Sequence, residues 1–162
     1  MPVLKKGMSQ AASDAFAAAG INPARIGQTI GNAPASAGVH KQDGVDAFGN
    51  SYTCALDLSV VHPSPLTDGA VKQVLEALAG HGFAAFYRCP GSDGWPAGQA
   101  RHIHAVYAGE KMKPALQAQI KDWLLGRNGL VGHAEYRFWQ PEEAHRQVVR
   151  QLFEAHYGAL AV

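Results

Sequence analysis

The chain lacks most of what would assign it to a specialised class. It has two cysteines, Cys54 and Cys89, far apart and outside any Cys-x-x-Cys. That excludes a disulfide scaffold and a zinc ribbon, and it leaves open whether the two thiols pair or are simply small core residues. Charge is scarce and balanced, with 17% charged residues and a net charge of +1 at pH 7. A general nucleic-acid binder or a polybasic membrane binder would carry a clear basic excess. No run approaches the roughly 20 apolar residues needed to span a bilayer. Lys5-Lys6 precede an alanine-rich stretch broken by Ser9, Gln10, Ser13 and Asp14. That is a poor secretory h-region, so the expectation is no Sec export and a cytoplasmic location. Internal repeats, low-complexity tracts and linkers are absent as well.

What the sequence does hold is 47% apolar residues in a length of 162, enough for one domain with a real core. Met8 to Ala19 reads as a helix stopped at Gly20, and Asn22-Pro23 as the start of a second short helix through Ile26 and Ile30. Residues 31 to 52 are rich in Gly, Asn, Ser, Pro and Asp and read as one long loop, a feature that is often functional. Thr53 to Val60 alternates, with Cys54, Leu56, Leu58 and Val60 on one side and Thr53, Ala55, Asp57 and Ser59 on the other. That pattern is a strand with a polar face. Thr67 caps a helix to about Ala79, and 83–88 and 101–107 read as strands. Lys113-Pro114 opens a helix to Leu125, 134–138 reads as a further strand, and Pro141 starts a last helix ending near Gly158. The predicted fold is a single α+β domain, a small antiparallel sheet with flanking helices.

Eight histidines stand out in this composition. His102 and His104 lie two apart in a strand, so both rings leave the same face and can converge on one point. Imidazole is a common ligand of zinc. Asp57 interrupts an otherwise apolar strand, and a carboxylate there needs a partner if it is buried. His40 stands in the long loop. Together His40, Asp57 and His104 would form a three-ligand His/Asp/His site with a fourth position left for water, the arrangement of a catalytic zinc. Arg88, on the face shared by Ala84 and Phe86, is a candidate to steady a substrate carboxylate or an oxyanion. Trp95, in the turn-rich segment Asp93-Gly-Trp-Pro96, is a candidate to line a cleft.

The arrangement resembles the superfamily that joins the hedgehog signalling domain, the D-Ala-D-Ala metallopeptidases and the lysostaphin-type endopeptidases. The D-Ala-D-Ala branch carries the run Ser-x-His-x-x-Gly-x-Ala-x-Asp. Here that run is split between Ser36 with His40-Lys-Gln-Asp-Gly44 and Ala55-Leu56-Asp57, and residues 43 to 52 read as an insertion. The resemblance implies zinc ligands His40, Asp57 and His104, and a catalytic His102 that stabilises the transition state or moves a proton without binding the metal. It also implies Arg25, ahead of the first ligand, as a second substrate-binding arginine. The fold it implies is hedgehog/DD-peptidase-like. The activity is hydrolysis of a small peptide or a peptidoglycan stem peptide, with no nucleic-acid or membrane partner. The acidic general base that the D-Ala-D-Ala branch has before its last histidine is missing, since Gln99-Ala100-Arg101 precede the pair.

Two rival readings use the same residues. A non-catalytic zinc-binding interaction domain would keep the fold without the base. A DNA-nicking endonuclease of the His-hydrophobic-His type would use the pair for a divalent ion and Tyr136 or Tyr157 as nucleophile. Against the latter stand the low charge and the absence of a lysine four residues after either tyrosine, where Gln140 and Ala161 are found.

Overall fold

The computed structural model describes residues 2–31, 38–130 and 132–160. Its elements in chain order are helix α1 (Gln10–Ala18), strands β1 (Ile26–Gln28), β2 (Gly44–Val45), β3 (Ser51–Tyr52) and β4 (Ala55–Leu58), helix α2 (Asp68–Gly80), strands β5 (Phe83–Arg88) and β6 (His102–Tyr107), and helices α3 (Pro114–Leu124) and α4 (Glu143–Tyr157). Local signals place the helix starts. The Ser9 and Thr67 hydroxyls accept from the backbone N–H groups of Ala12 and Ala70, and Pro114 occupies the first turn of α3.

The main sheet is antiparallel, in the order β1-β4-β6-β5, and β2 and β3 form a separate hairpin. Opposed residues in such a sheet project from the same face. One cross-strand row is Gln28, Asp57, His104 and Phe86, and the adjacent row contains His102 and Arg88. The alternate positions Leu56, Leu58, Ile103, Ala105, Phe83 and Ala85 are buried on the opposite face. α3 packs against β5 and β6, α2 packs against β5, and α4 packs against α2. One continuous apolar cluster links the sheet to all four helices.

Two sequence expectations are corrected. The segment after Asn22 is a single 3-10 turn, Pro23–Arg25, followed by strand β1 rather than by a helix. Ile26 pairs with Leu58, and an irregularity at Gly27 sets Gln28 opposite Asp57, so tertiary pairing overrides the local helix signal. Residues 134–138 form no strand, only an isolated bridge between Arg127 and Glu135. There the Tyr136 N–H donates to the Gly126 carbonyl and the Asn128 N–H to the Ala134 carbonyl, but the next N–H groups, of Arg137 and Phe138, donate to the Asp93 carboxylate, so the backbone pairing goes no further. The long loop also contains more order than its composition suggested, in the β2–β3 hairpin.

That loop is fastened by Asp43, whose side chain is fully buried. Its carboxylate takes the Lys113 ammonium at 2.8 Å and the backbone N–H groups of Lys113 and Cys54, each at 2.7 Å. Lys113 Nζ also donates to the Val39 carbonyl at 3.0 Å. One buried ion pair thus joins the loop that carries His40, the entry to β4 and the start of α3. Removing one partner of such a pair leaves an uncompensated buried charge, which costs about 3–5 kcal/mol. Asp43→Ala is therefore expected to lower the urea-unfolding free energy by roughly that amount. A loss below about 1 kcal/mol, the scale of an exposed pair, would show that the clamp does not hold these elements.

Candidate metal centre

β6 presents His102 and His104 on one face, and β4 sets Asp57 directly opposite His104. His104 Nδ1 lies 3.1 Å from Asp57 Oδ1. Its other ring nitrogen, Nε2, donates to Gln119 Oε1 on α3 at 2.7 Å. His40 arrives from the loop and is buried. Its Nδ1 donates to the Thr29 carbonyl at 2.7 Å, and its own carbonyl accepts from the Gly31 N–H at 3.0 Å. These bonds turn His40 Nε2 toward Asp57 Oδ2, 3.3 Å away.

The ligand atoms of His40, Asp57 and His104 all lie within 4.8 Å of one another. Tetrahedral coordination with arms of about 2.0–2.2 Å puts ligand atoms roughly 3.3–3.6 Å apart. The nitrogen–oxygen distances, 3.1 Å from His104 to Asp57 Oδ1 and 3.3 Å from His40 to Asp57 Oδ2, are near that spacing, each to a different oxygen of the carboxylate. This buried group can bind a metal ion.

Hydrogen bonding strengthens the case. A carbonyl oxygen only accepts, so Thr29 and the Gln119 amide oxygen fix a proton on His40 Nδ1 and on His104 Nε2. In neutral rings the remaining nitrogens are bare lone pairs, and both point at a carboxylate. That geometry is repulsive unless positive charge, a proton or a metal, stands between them. Burial lowers the pKa of His104 even against the attraction of Asp57, which disfavours the proton. Burial alone would raise the Asp57 carboxyl, but hydrogen bonding and Coulombic attraction from the His104 and His40 rings outweigh it and hold the group far below the usual carboxylate range.

A cavity of about 330 Å³ opens over this group. His102 lines it, part-exposed, with Nε2 3.7 Å from Asp57 Oδ1 and Nδ1 donating to the Ala100 carbonyl at 3.2 Å. Arg88 and Trp95 line it too, with the Trp95 ring edge-on to His102 at 5.3 Å between centroids. Arg25 does not. Its guanidinium donates to the carbonyls of Ser59, His62 and Ser64 and to the Ser64 hydroxyl, so it holds the β4–α2 loop and is withdrawn from a substrate role. Ser36 lies outside the described residues. Tyr136 and Tyr157 are not at the cavity. The Tyr136 hydroxyl accepts from the Tyr87 N–H, and that of Tyr157 bonds to the Met112 backbone.

Three contributors escaped the sequence reading. Gln119 sits three residues after Leu116 and four before Trp123, a polar residue on the buried stripe of α3. That position was a readable signal. Gln28 and the Thr29 carbonyl depend on the unexpected strand β1 and gave none. Comparison with protein-family models, curated proteins and solved structures finds no match for this chain.

Partners that orient metal-bound histidines typically change metal affinity by about 10–100-fold when removed. Gln119→Met keeps the bulk and removes the acceptor. It is expected to weaken metal binding by about that factor in chelator competition, with the fold intact by circular dichroism. Unchanged affinity would mean that the Gln119 contact does not orient His104.

Proposed function

We propose that the protein is a zinc-dependent peptidase of the hedgehog/D-Ala-D-Ala metallopeptidase/lysostaphin-type superfamily. The resemblance suggests a small peptide or a peptidoglycan stem peptide as substrate. The observation that carries the reading is the opposed pair His40 Nε2 and His104 Nδ1 around Asp57, with His102 on the same sheet face and outside the ligand set. Two imidazoles and one carboxylate suit zinc, and three protein ligands leave the open position of a catalytic rather than a structural site. When bound, zinc supplies a Lewis acid that polarises a scissile carbonyl and makes water nucleophilic near neutral pH.

The chain's own residues divide the remaining tasks. Asp57 and the two ligand histidines hold the charge that attracts the ion. The Ala100 carbonyl keeps the proton of His102 on Nδ1, so Nε2 is free to accept a proton from the attacking water and return it to the leaving amine. Asp57 is the only carboxylate lining the cavity, so no acidic residue competes for that role among the described residues. The same fact favours one second reading, a zinc-binding interaction domain of this fold without catalysis. The DNA-nicking reading has no tyrosine at the cavity to support it.

His102→Ala separates the possibilities. Peptide hydrolysis is expected to fall by about 10²–10⁴ in kcat while zinc stays near one per chain. His104→Ala and Asp57→Asn are expected to lose the zinc itself. Zinc loss in His102→Ala as severe as in His104→Ala would overturn the assigned roles. A zinc-loaded wild type that cleaves no peptide would leave the interaction domain standing.

A further inference from the structure

Residues 43–52, which the sequence reads as an insertion, contain the β2–β3 hairpin. Phe48 stands at its tip. At 77% exposed, it is the most exposed large apolar side chain among the described residues. Val45 on β2 is 59% exposed. Tyr52 is buried, so the strand period of two turns Ser51 and its partner Val45 outward.

The turn is tightly bonded. The Asp46 carboxylate accepts the Phe48 and Asn50 N–H groups at 3.0 and 2.8 Å and the Asn50 side-chain amide at 3.1 Å. It also accepts the Gln10 N–H, at the start of α1, at 2.7 Å. Gly49, at φ +85°, supplies the left-handed residue of the turn. At the root, Asp43 is buried against Lys113, and the Thr53 N–H donates to the Gly7 carbonyl at 2.9 Å. Bonds at both ends thus hold a phenyl ring out in water. Exposed apolar side chains on an ordered projection, rimmed by charge, mark a contact surface.

The charge around the tip has one sign. In residues 2–7 and 41–52 the exposed charged side chains are Lys6 and Lys41. Neither joins an ion pair among the described residues. Lys6 lines a cavity with Gly49 and Asn50, which puts it beside the turn. Asp43 and Asp46 are taken up by the bonds above, and Lys5 Nζ is held by the Ile26 carbonyl at 3.2 Å. A second copy docked about a two-fold axis would bring like charges together, which is repulsive. The face suits an anionic partner. A protein would need a pocket for the projecting ring, whereas a bilayer interface takes an aromatic side chain anywhere and leaves lysine ammonium groups among the headgroups. The net charge of +1 is too small to adsorb the whole chain, so the contact is confined to this end.

We propose that the β2–β3 hairpin docks the protein on an anionic lipid surface, with Phe48 and Val45 entering the interface and Lys6 and Lys41 meeting the headgroups. Docking of this kind is independent of what the metal centre does, and residues 45–52 lie outside the run on which the peptidase resemblance stands.

Co-sedimentation of the full chain with lipid vesicles tests this. Vesicles of equal parts phosphatidylcholine and phosphatidylglycerol are expected to bind it about tenfold or more tighter than phosphatidylcholine alone, from roughly fivefold per lysine at an anionic surface. Phe48→Ser is expected to weaken binding by about tenfold, the scale of partly burying an aromatic side chain, with metal content and circular dichroism unchanged. The double variant Lys6→Gln, Lys41→Gln is expected to lose the preference for phosphatidylglycerol. No sedimentation with either vesicle, equal binding to both, or wild-type binding by Phe48→Ser would each overturn the proposal. A Phe48-dependent dimer in analytical ultracentrifugation, without vesicle binding, would assign the face to a second copy. Phe48-dependent retention on immobilised polyglutamate, without vesicle binding, would assign it to an acidic protein. Either result would overturn the membrane contact.

Discussion

Two imidazole nitrogens face one carboxylate, and each is held there by a bond on the far side of its ring. The Thr29 carbonyl fixes His40, and the Gln119 amide oxygen fixes His104. With their outer protons so placed, the inner nitrogens present lone pairs to Asp57 at 3.3 and 3.1 Å. Such an arrangement needs a positive charge at its centre. The burial of His104 works against supplying that charge as a proton, and the spacing suits a metal. Two of the three groups come from neighbouring antiparallel strands, so their separation is set by the sheet. Only His40 depends on a loop.

The rest of the fold serves that dependence. A loop histidine is a poor ligand unless its backbone is held, and a ligand site loses precision when its supports are left free. Here Thr29, just past the end of β1, supplies the carbonyl that orients His40, and the buried Asp43–Lys113 pair ties the loop to β4 and α3. These elements deliver Asp57 and Gln119. The same sheet face carries His102 and Arg88 in the next row, so a third imidazole and a cation lie beside the His-Asp-His group without further devices. The opposite face is apolar and belongs to the core, which keeps the polar row on the cavity side.

Much of this was legible in the residues, for identifiable reasons. A strand's period of two puts His102 and His104 on one face whatever the tertiary structure, and Asp57 betrays itself by breaking an apolar run. The main helices announced themselves through Thr67, Pro114 and Gly158. What failed were features decided by distant partners. Ile26–Gln28 is three residues long and is a strand only because Leu58 and Asp57 lie beside it. Residues 134–138 had strand character but pair only briefly with 126–128 before Arg137 and Phe138 turn to the Asp93 carboxylate. Arg25 was expected at the site, yet its place is set by carbonyls from 34 to 39 positions away in sequence. Local sequence gives no clue to such contacts.

The central claim is that His40 and His104 offer opposite ring nitrogens to one ion. Long-range ¹H–¹⁵N NMR of the histidine rings, recorded before and after one equivalent of zinc, tests it most directly. The account predicts that His40 Nε2 and His104 Nδ1 move to metal-bound shifts, while His40 Nδ1 and His104 Nε2 stay protonated and His102 keeps both nitrogens off the metal. Metal-bound shifts on the other nitrogens, on His102, or on no histidine would contradict it.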